Sequence, residues 1–202
     1  KLSNINCGRT IFGTGLYPNK VQWPAIKKNK EVDICAIFQT FHDECRDHGV
    51  RNDIPYIKHR KEVWDRLSKV KDKYNTISKK LPFQDYIEKL ANSKVCISPF
   101  GQGELCFRDF EAMLTGTILI RPDQSNVVTS PNIFVEGETY IGCKLDWSDL
   151  EEKIENTLDN FNELNDKFTY NIRNKFNKEY TLENFCMHYY NIFSNLQSIS
   201  KE

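Results

Sequence analysis

The stretch from Ser98 to Gly116 contains the residue types and spacing that could do chemistry. It reads SPFGQGELCFRDFEAMLTG and predicts a strand end, a glycine loop and a helix. Gly101 and Gly103 would let backbone N–H groups approach an anion, and the N-terminus of the helix would add partial positive charge. No Gly-Lys-Ser/Thr and no third glycine follow, so this is neither a Walker loop nor a dinucleotide fingerprint. A tight turn without a ligand is the alternative.

The helix predicted over Glu104–Thr115 has one narrow polar stripe. At about 100° per residue, Glu104, Arg108, Glu111 and Thr115 share a face about 60° wide, and apolar residues cover most of the rest. In one interpretation the stripe is exposed and Arg108 pairs with the two glutamates. In the other it forms the floor of a cleft, where Arg108 meets phosphate and Glu111 accepts hydrogen bonds from ribose hydroxyls.

The surrounding sequence alternates between predicted strands and helices, which is typical of βαβ units and a parallel sheet. We predict an α/β fold with a Rossmann-like parallel sheet of about five strands, helices on both faces and a C-terminal helical extension. Such sheets bind ligands outside the carboxyl ends of their strands. The predicted strands are Arg9–Phe12 in the lead-in, Val32–Phe38, Tyr74–Ile77, Val95–Ser98, Thr117–Arg121 and Thr139–Cys143. The predicted helices are Tyr56–Val70, Pro82–Ala91, Glu104–Thr115, 148–160 behind a Ser148–Glu151 capping box, Leu164–Asn177 and Thr181–Leu196.

These elements suggest three parts of the chain. Residues 1–31 form an irregular lead-in, residues 32–161 form the Rossmann-like domain, and residues 162–202 form helices that pack on the same domain.

Three basic side chains outside this stretch could stabilise a departing anion. Arg60 follows His59 at the start of a predicted helix, and Lys79 and Lys80 follow a predicted strand end. Fixed cations of this kind stabilise the charge of a leaving group. A solvated loop is the alternative for the two lysines.

The segment Phe41–His48 follows the first long strand. There His42 or Asp43 could act as the general base that deprotonates an acceptor hydroxyl, with a plain loop as the alternative. His42, Cys45 and His48 have a spacing that suits one helix face, but a fourth metal ligand is missing. We therefore predict a base in this segment and no metal site.

Composition excludes several classes of protein. The 202 residues include 28 Lys and Arg against 28 Asp and Glu, and this zero net charge argues against a nucleic-acid partner. No apolar run is long enough to span a bilayer. The seven cysteines are scattered without a CxxC, which favours free thiols in a reducing compartment. We therefore expect a cytoplasmic protein, in the host cytoplasm if the chain is viral.

The residues SPFGQGELCFRDFEAMLTGTILIRPDQS, from Ser98 to Ser125, resemble the donor-binding domain of GT-B-type glycosyltransferases. The similarity is to the group-1-like and exostosin-like branches, with their strand, Gly-rich loop, Arg-x-x-Glu-Ala, small residue, Gly and strand. Such domains occur in bacterial surface-glycan enzymes and in multidomain glycosyltransferases of large algal viruses. The resemblance extends from about Val32 to Leu158 and is specific in residues 94–125.

This resemblance implies a metal-independent transferase whose donor substrate is a nucleotide-diphosphate sugar, with no resident cofactor. Glu111 would hold the ribose, and Arg108 would neutralise phosphate charge. Asp123 and Ser125 would border the sugar. By this match, the residues of the stretch that would contact the donor are Ser98, Gly101, Gly103, Glu104, Arg108, Glu111, Asp123 and Ser125.

Two features bear on that implication. Six residues separate Glu104 from Glu111, whereas seven separate the two glutamates of the common group-1 pattern. Glu104, a candidate catalytic residue, therefore departs from the spacing of the family. The chain has no Asp-x-Asp, the pair that holds the divalent ion in sugar transferases of the other common fold. The missing pair agrees with metal-independent transfer.

From the habits of the family we expect UDP as the carrier, a deoxyhexose such as rhamnose or fucose as the sugar, and a glycan hydroxyl as the acceptor. A non-catalytic nucleotide-sugar-binding module of a larger assembly is the alternative. A response-regulator-like domain is disfavoured, because Ile37–Thr40 carries no acidic cluster at the end of the first long strand. The chain begins with Lys1, and a two-domain GT-B enzyme needs roughly twice this length, so we expect a larger multidomain protein.

Overall fold

Strands and helices alternate along the chain. The computed structural model describes residues 24–38, 55–101, 103–127, 129 and 131–179, together with 181, 183, 184, 186, 187, 190, 191 and 194. The strands are β1 (Val32–Cys35), β2 (Thr76–Ile77), β3 (Ser93–Ile97), β4 (Ile118–Pro122) and β5 (Ile141–Cys143). The helices are α1 (Pro55–Leu67), α2 (Phe83–Ala91), α3 (Phe107–Leu114), α4 (Leu150–Asp159) and α5 (Phe161–Glu179).

The strands form a five-stranded, all-parallel sheet in the order β2-β1-β3-β4-β5. The register pairs Cys35 of β1 with Cys96 of β3, and Ile97 of β3 with Ile120 of β4. The strand order reverses between β1 and β3, because β2 lies outside β1 while the later strands follow β3. In doubly wound sheets such a switch point opens a crevice at the carboxyl ends of the two strands.

Helices cover both faces of the sheet, which explains the short, continuously apolar strands. All five residues of β4 are buried. On one face α2, α3 and α5 pack through residues that include Leu90, Phe110, Met113, Phe168, Ile172 and Phe176. On the other face α1 and α4 pack through residues that include Val63, Leu67, Leu150 and Ile154.

The predicted α/β fold with a parallel sheet of five strands is confirmed, while several boundaries differ. The first long strand ends at Cys35 rather than Phe38. The last strand begins at Ile141 rather than Thr139. Pro82 precedes α2 at its N-cap rather than occupying the first helical position. The short strand at Arg9–Phe12 lies outside the described residues.

The capping box predicted at Ser148 and Glu151 is wrong. Asp149 occupies the N-cap of α4. The backbone N–H of Ser148 donates to Asp146 Oδ1 at 3.0 Å, and that of Lys144 donates to Asp149 Oδ1 at 2.9 Å. The two aspartates thus stabilise the turn before the helix, a role that helical spacing alone does not indicate.

Toward the C-terminus, α5 is longer than the predicted helix Leu164–Asn177. The later helix, predicted over Thr181–Leu196, falls largely outside the described residues, although the described positions from 183 to 194 are helical. No helix in the described part of the chain is both long and apolar enough to cross a membrane.

Gly116 ends α3, as predicted, through its backbone conformation. Its φ of +67° lies in the left-handed region that favours glycine. A Cβ at this position would lie 2.6 Å from Cγ2 of Ile26, so a larger residue would also clash. The chain therefore leaves α3 in a fixed direction and enters β4.

A buried lysine joins elements at the opposite, amino-terminal end of the sheet. The ammonium group of Lys30, which is 7% exposed, donates to the carbonyl of Ala91 at 2.7 Å and lies 3.5 Å from Thr117 Oγ1. Burial, with a smaller effect from Lys27, lowers the pKa of Lys30 from 10.5 to about 7. The folded chain thus loses this proton at a pH where the unfolded chain retains it.

The free energy of unfolding should therefore depend on pH through Lys30. Between pH 7 and pH 9 the unfolded state binds the extra proton, so stability rises with pH. We expect the stability of the unmodified chain relative to Lys30→Met to increase by about 2 kcal/mol over this range. Urea unfolding of both proteins at the two pH values, with reductant, measures this change. An equal difference at both pH values would contradict the shifted pKa.

Candidate functional site

The candidate site lies where β1 and β3 end, at the switch point of the sheet. Phe38 follows β1, and the glycine loop from Ser98 follows β3 and leads into α3. Arg60 comes to the same loop from α1, since its Nε donates to the carbonyl of Phe100 at 2.8 Å. The topology thus brings together residues that are far apart in sequence.

The carboxylate of Asp109 organises the loop. Asp109 is 1% exposed and accepts hydrogen bonds from three different segments. Ser98 Oγ at the end of β3 donates to Oδ1 at 2.6 Å, and the Cys106 backbone N–H donates to Oδ2 at 2.8 Å. Arg121 of β4 donates from Nη1 to Oδ2, also at 2.6 Å. Because a buried charge is costly unless it is paired, this cluster fixes the three segments against one another.

Arg121 extends the same cluster to the far side of the loop. The guanidinium is 1% exposed, and its Nη2 donates to the backbone carbonyl of Glu104. Its central carbon lies 4.5 Å from the centre of the Phe134 ring, a cation–π contact. Residues 104 to 106 are therefore anchored through their backbone.

This anchoring explains why the predicted start of the helix is wrong. The structure begins α3 at Phe107, three residues after the predicted start at Glu104. Cys106 has extended backbone angles at the N-cap, and its N–H is bound by the carboxylate of Asp109. Glu104 therefore lies in the loop, where its side chain is exposed. It does not share a helical face with Arg108 and Glu111.

Thr115, at the other end of the predicted polar stripe, has a structural role. Thr115 is fully buried at the C-cap of α3. Its hydroxyl lies 2.9 Å from the carbonyl of Glu111 and 3.0 Å from that of Ala112. The stripe is thus reduced to Arg108 and Glu111.

Arg108 has the least satisfied charge in the described part of the site. Its Nε and Nη1 are inaccessible to solvent and have no hydrogen-bond partner among the described residues. Its guanidinium carbon lies 5.4 Å from the centre of the Phe38 ring at the end of β1. Glu111 is buried and Glu104 lies in the loop, so the alternative of an exposed helical stripe of ion pairs is wrong. The side chain thus retains unused hydrogen-bond donors at the switch point.

Glu111 is buried beside a tyrosine from the neighbouring helix. It is 6% exposed, and the hydroxyl of Tyr86 on α2 donates to its Oε2 at 2.7 Å. Burial and the charge of Glu111 raise the pKa of Tyr86 well above its usual value. The phenol therefore stays protonated at neutral pH and acts as a donor.

The two glycines of the loop have different surroundings. The N–H of Gly101 donates to the carbonyl of Gly103 at 3.1 Å, so this donor is used within the loop. A Cβ on Gly101 would lie 3.2 Å from Cys106 Sγ and 3.6 Å from Arg60 Nη2, whereas one on Gly103 would meet nothing within 4 Å. Gly101 thus permits close packing of the Cys106 thiol, with Arg60 at ordinary contact distance, and Gly103 faces open space.

Aromatic rings support the α1 side of the loop. The ring of His59 stacks on Phe100 with centroids 5.0 Å apart, and its other neighbour is Trp147 at 5.1 Å. Burial lowers the pKa of His59, so the ring is neutral at neutral pH. Trp147 is fully buried with a φ of +56°, in the left-handed region. These rings hold the segment that carries Arg60.

Cys106 at the N-cap of α3 is a free, half-buried thiol. Burial first and Asp109 second raise its pKa, which outweighs the opposite effect of three nearby arginines. Those arginines are Arg108, Arg121 and Arg60. Arg60 binds the loop at Phe100, Arg121 binds it at Glu104, and Arg108 lies in the first turn of α3.

The other candidate residues lie further from this centre or outside the described structure. Asp123 is exposed after β4 and accepts a hydrogen bond from the hydroxyl of Ser125, which lowers the pKa of Asp123. Lys79 is exposed in the loop after the edge strand β2. The candidate bases His42 and Asp43 lie outside the described residues.

Several residues of the site carried no functional prediction. Arg121 gave a usable signal, since a charged residue in an otherwise apolar strand needs a buried partner. Asp109 gave none, because its capping position three residues after the N-cap is recognised only once the structure places the N-cap at Cys106. Tyr86 and Phe38 come to the site only through tertiary packing, whereas Phe100 lies within the glycine-loop stretch itself.

No group of three or more His, Cys, Asp or Glu side chains in the described residues is arranged to hold a metal ion. Comparison with models of known protein families found no match, and comparison with curated proteins found none either. The interpretation of the site therefore depends on its own geometry.

Removing the charge of Asp109 should severely destabilise the fold. In Asp109→Asn, Arg121 would remain as an uncompensated buried charge, and we expect unfolding to become easier by about 3–5 kcal/mol. Urea unfolding measures the loss. The control is Glu151→Gln, whose carboxylate pairs at the surface with Lys69 at 2.8 Å and should cost no more than about 1 kcal/mol.

A double variant keeps this test informative if Asp109→Asn fails to fold. Asp109→Leu combined with Arg121→Met removes both buried charges and should recover more than half of the lost stability. Equal losses in Asp109→Asn and Glu151→Gln would contradict the organising role of the buried pair.

Proposed function

We propose that the chain is the donor-binding part of a glycosyltransferase. It binds a nucleotide-diphosphate sugar at the switch point between β1 and β3 and transfers the sugar to a glycan hydroxyl without a metal ion. We propose UDP as the carrier and a deoxyhexose such as rhamnose or fucose as the sugar, within a larger multidomain protein of the cytoplasm. The support comes from the described site and from the sequence resemblance over residues 94–125.

The observation that carries this proposal is the unused hydrogen-bonding capacity of Arg108. Buried donors without a partner cost roughly 1–3 kcal/mol each. Arg108 has two such nitrogen atoms at the place where doubly wound sheets bind ligands. A bound diphosphate would supply acceptors and negative charge together. Guanidinium groups suit phosphate because they donate in a planar fork.

Arg60 and the loop support the same ligand. Arg60 Nη2 lies beside Gly101, and Gly103 leaves open space in front of the loop. The first turn of α3 adds the partial positive charge of a helix N-terminus. These groups together could neutralise much of a diphosphate.

The proposed chemistry is displacement at the anomeric carbon of the donor. The bond from the anomeric carbon to the diphosphate oxygen breaks, and the acceptor oxygen forms the new bond. Arg108, Arg60 and the N-terminus of α3 stabilise the charge that develops on the leaving nucleotide diphosphate. A general base removes the acceptor proton, and His42 and Asp43 remain the candidates for it. Because Glu104 lies in the loop before α3, we place it beside the sugar rather than on the helix face that carries Arg108 and Glu111.

The alternative is a nucleotide-sugar-binding module without catalysis. One observation favours it: the described residues of the site offer cations and a candidate ribose acceptor, which suffice for binding. Binding and transfer are therefore tested separately.

Replacing Arg108 by Met should separate binding from stability. Met removes the unpartnered donors and keeps an unbranched side chain against Phe38, so we expect the melting midpoint not to fall. Affinity for UDP should fall at least about tenfold, since a charge-assisted contact to phosphate is lost. Titration calorimetry and thermal unfolding measure the two effects.

The matched control is Arg66→Met on the same protein, because Arg66 lies on α1 and its Nη1 is 3.7 Å from the surface residue Glu151. It should leave UDP affinity unchanged. If neither UDP nor GDP binds the unmodified chain, or if Arg108→Met binds UDP as tightly, the proposed site is wrong.

Transfer itself is tested with the unmodified chain and labelled UDP-sugars, including UDP-rhamnose. We expect release of UDP in the presence of a glycan acceptor, with no loss of rate after chelation of divalent ions. Mass spectrometry of the acceptor detects the added sugar. UDP-sugar that binds but is neither hydrolysed nor transferred would support the binding module instead.

A further inference from the structure

The hydrogen bond between Tyr86 and Glu111 joins α2 to α3 at the edge of the candidate site. The phenol oxygen lies 2.7 Å from Glu111 Oε2, a length typical of a strong hydrogen bond to a carboxylate. Glu111 is 6% exposed, and Tyr86 is partly buried. One oxygen of the carboxylate therefore has a fixed neighbour before any ligand arrives.

The surroundings of Tyr86 connect this pair to β1 and β3, the strands that end at the switch point. Besides Glu111, the charged or ionisable groups that influence the pKa of Tyr86 are Cys96, Arg108 and Cys35. Cys35 and Cys96 are register partners in β1 and β3. Tyr86 packs against the buried cluster that includes both cysteines and Phe110 of α3, so it lies on the face of the sheet that α2 and α3 cover.

We infer that Tyr86 is a positioning residue that sets the orientation of Glu111 for the ribose hydroxyls of the donor. This inference rests on the proposed function, in which Glu111 accepts hydrogen bonds from the ribose. A free glutamate loses rotamer entropy when it binds a ligand, and a prior hydrogen bond reduces that cost. The ligand class that benefits is a ribonucleoside diphosphate rather than a nucleotide without ribose hydroxyls.

A purely structural role for the same hydrogen bond makes a different prediction. If Tyr86 only held α2 against α3, its loss would weaken all ligands equally or lower the melting midpoint. A positioning role acts on the preference between UDP and 2′,3′-dideoxy-UDP, since these ligands differ only in the ribose hydroxyls. That ratio is independent of contacts to the diphosphate and the base.

The test measures binding of UDP and 2′,3′-dideoxy-UDP by titration calorimetry. The unmodified chain should prefer UDP by at least about tenfold, the value of a hydrogen bond to a charged group. Tyr86→Phe keeps the ring, and it should reduce that preference about three- to tenfold while leaving the affinity for dideoxy-UDP unchanged. In a Glu111→Gln background, Tyr86→Phe should cause no further change in preference. Tyr170→Phe on α5, where the side chain is 67% exposed, is the control.

The outcomes separate the two proposals. If the unmodified chain binds neither nucleotide, the proposed function fails and this inference falls with it. If it binds UDP with the expected preference and Tyr86→Phe keeps that preference, only the positioning role is overturned. A Tyr86→Phe variant that loses equal affinity for both nucleotides, or loses only stability, also overturns it. Loss of preference at unchanged dideoxy-UDP affinity supports it.

Discussion

A buried carboxylate, that of Asp109, determines the shape of the candidate site. It takes hydrogen bonds from Ser98 after β3, from the backbone of Cys106 before α3 and from Arg121 of β4. Because a buried charge must be fully paired, these segments have little freedom to rearrange. The start of α3 follows from this constraint, and the position of Arg108 two residues after the N-cap follows from the start of the helix.

The two arginines near this carboxylate have opposite surroundings. Arg121 is bound by Asp109 and by the carbonyl of Glu104, and it lies against Phe134. Arg108 lies against Phe38 with two unpartnered nitrogen atoms among the described residues. Arg121 leaves only its Nε without a partner, and its charge is paired with Asp109, so it stabilises the scaffold. Arg108 leaves two nitrogen atoms without a partner, and the proposed anionic ligand would supply their acceptors. This division of roles is the physical basis for assigning the crevice to a diphosphate.

The sheet could be predicted because its strands are short apolar runs between helical segments. The runs Val95–Ile97 and Ile118–Ile120 within β3 and β4 are apolar on both faces, so a sheet covered on both sides accommodates them. Gly116 was predictable for a similar local reason, as the residue type that best ends a helix. The start of α3 could not be predicted, because the helical pattern of polar residues continues back to Glu104. That pattern does not indicate that the carboxylate of Asp109 caps the helix at Cys106.

For the site, too, residues on one element could be predicted, whereas contacts between elements could not. Arg108 and Glu111 could be identified because they share one face of a single helix. The partner of Glu111 could not, since Tyr86 is 25 residues away and meets it only when α2 packs beside α3. Arg60 was a candidate from its charge, but its contact with Phe100 depends on α1 crossing to the loop after β3.

The most direct test of a diphosphate site at Arg108 is NMR of the arginine side chains during titration with UDP. The Nε–H resonance of Arg108 should shift strongly and saturate with binding, because its buried donor gains a phosphate acceptor. The resonances of Arg121 should stay in place, since Asp109 already holds that guanidinium. Binding of UDP without a change at Arg108, or with the main change at Arg121, would contradict the account.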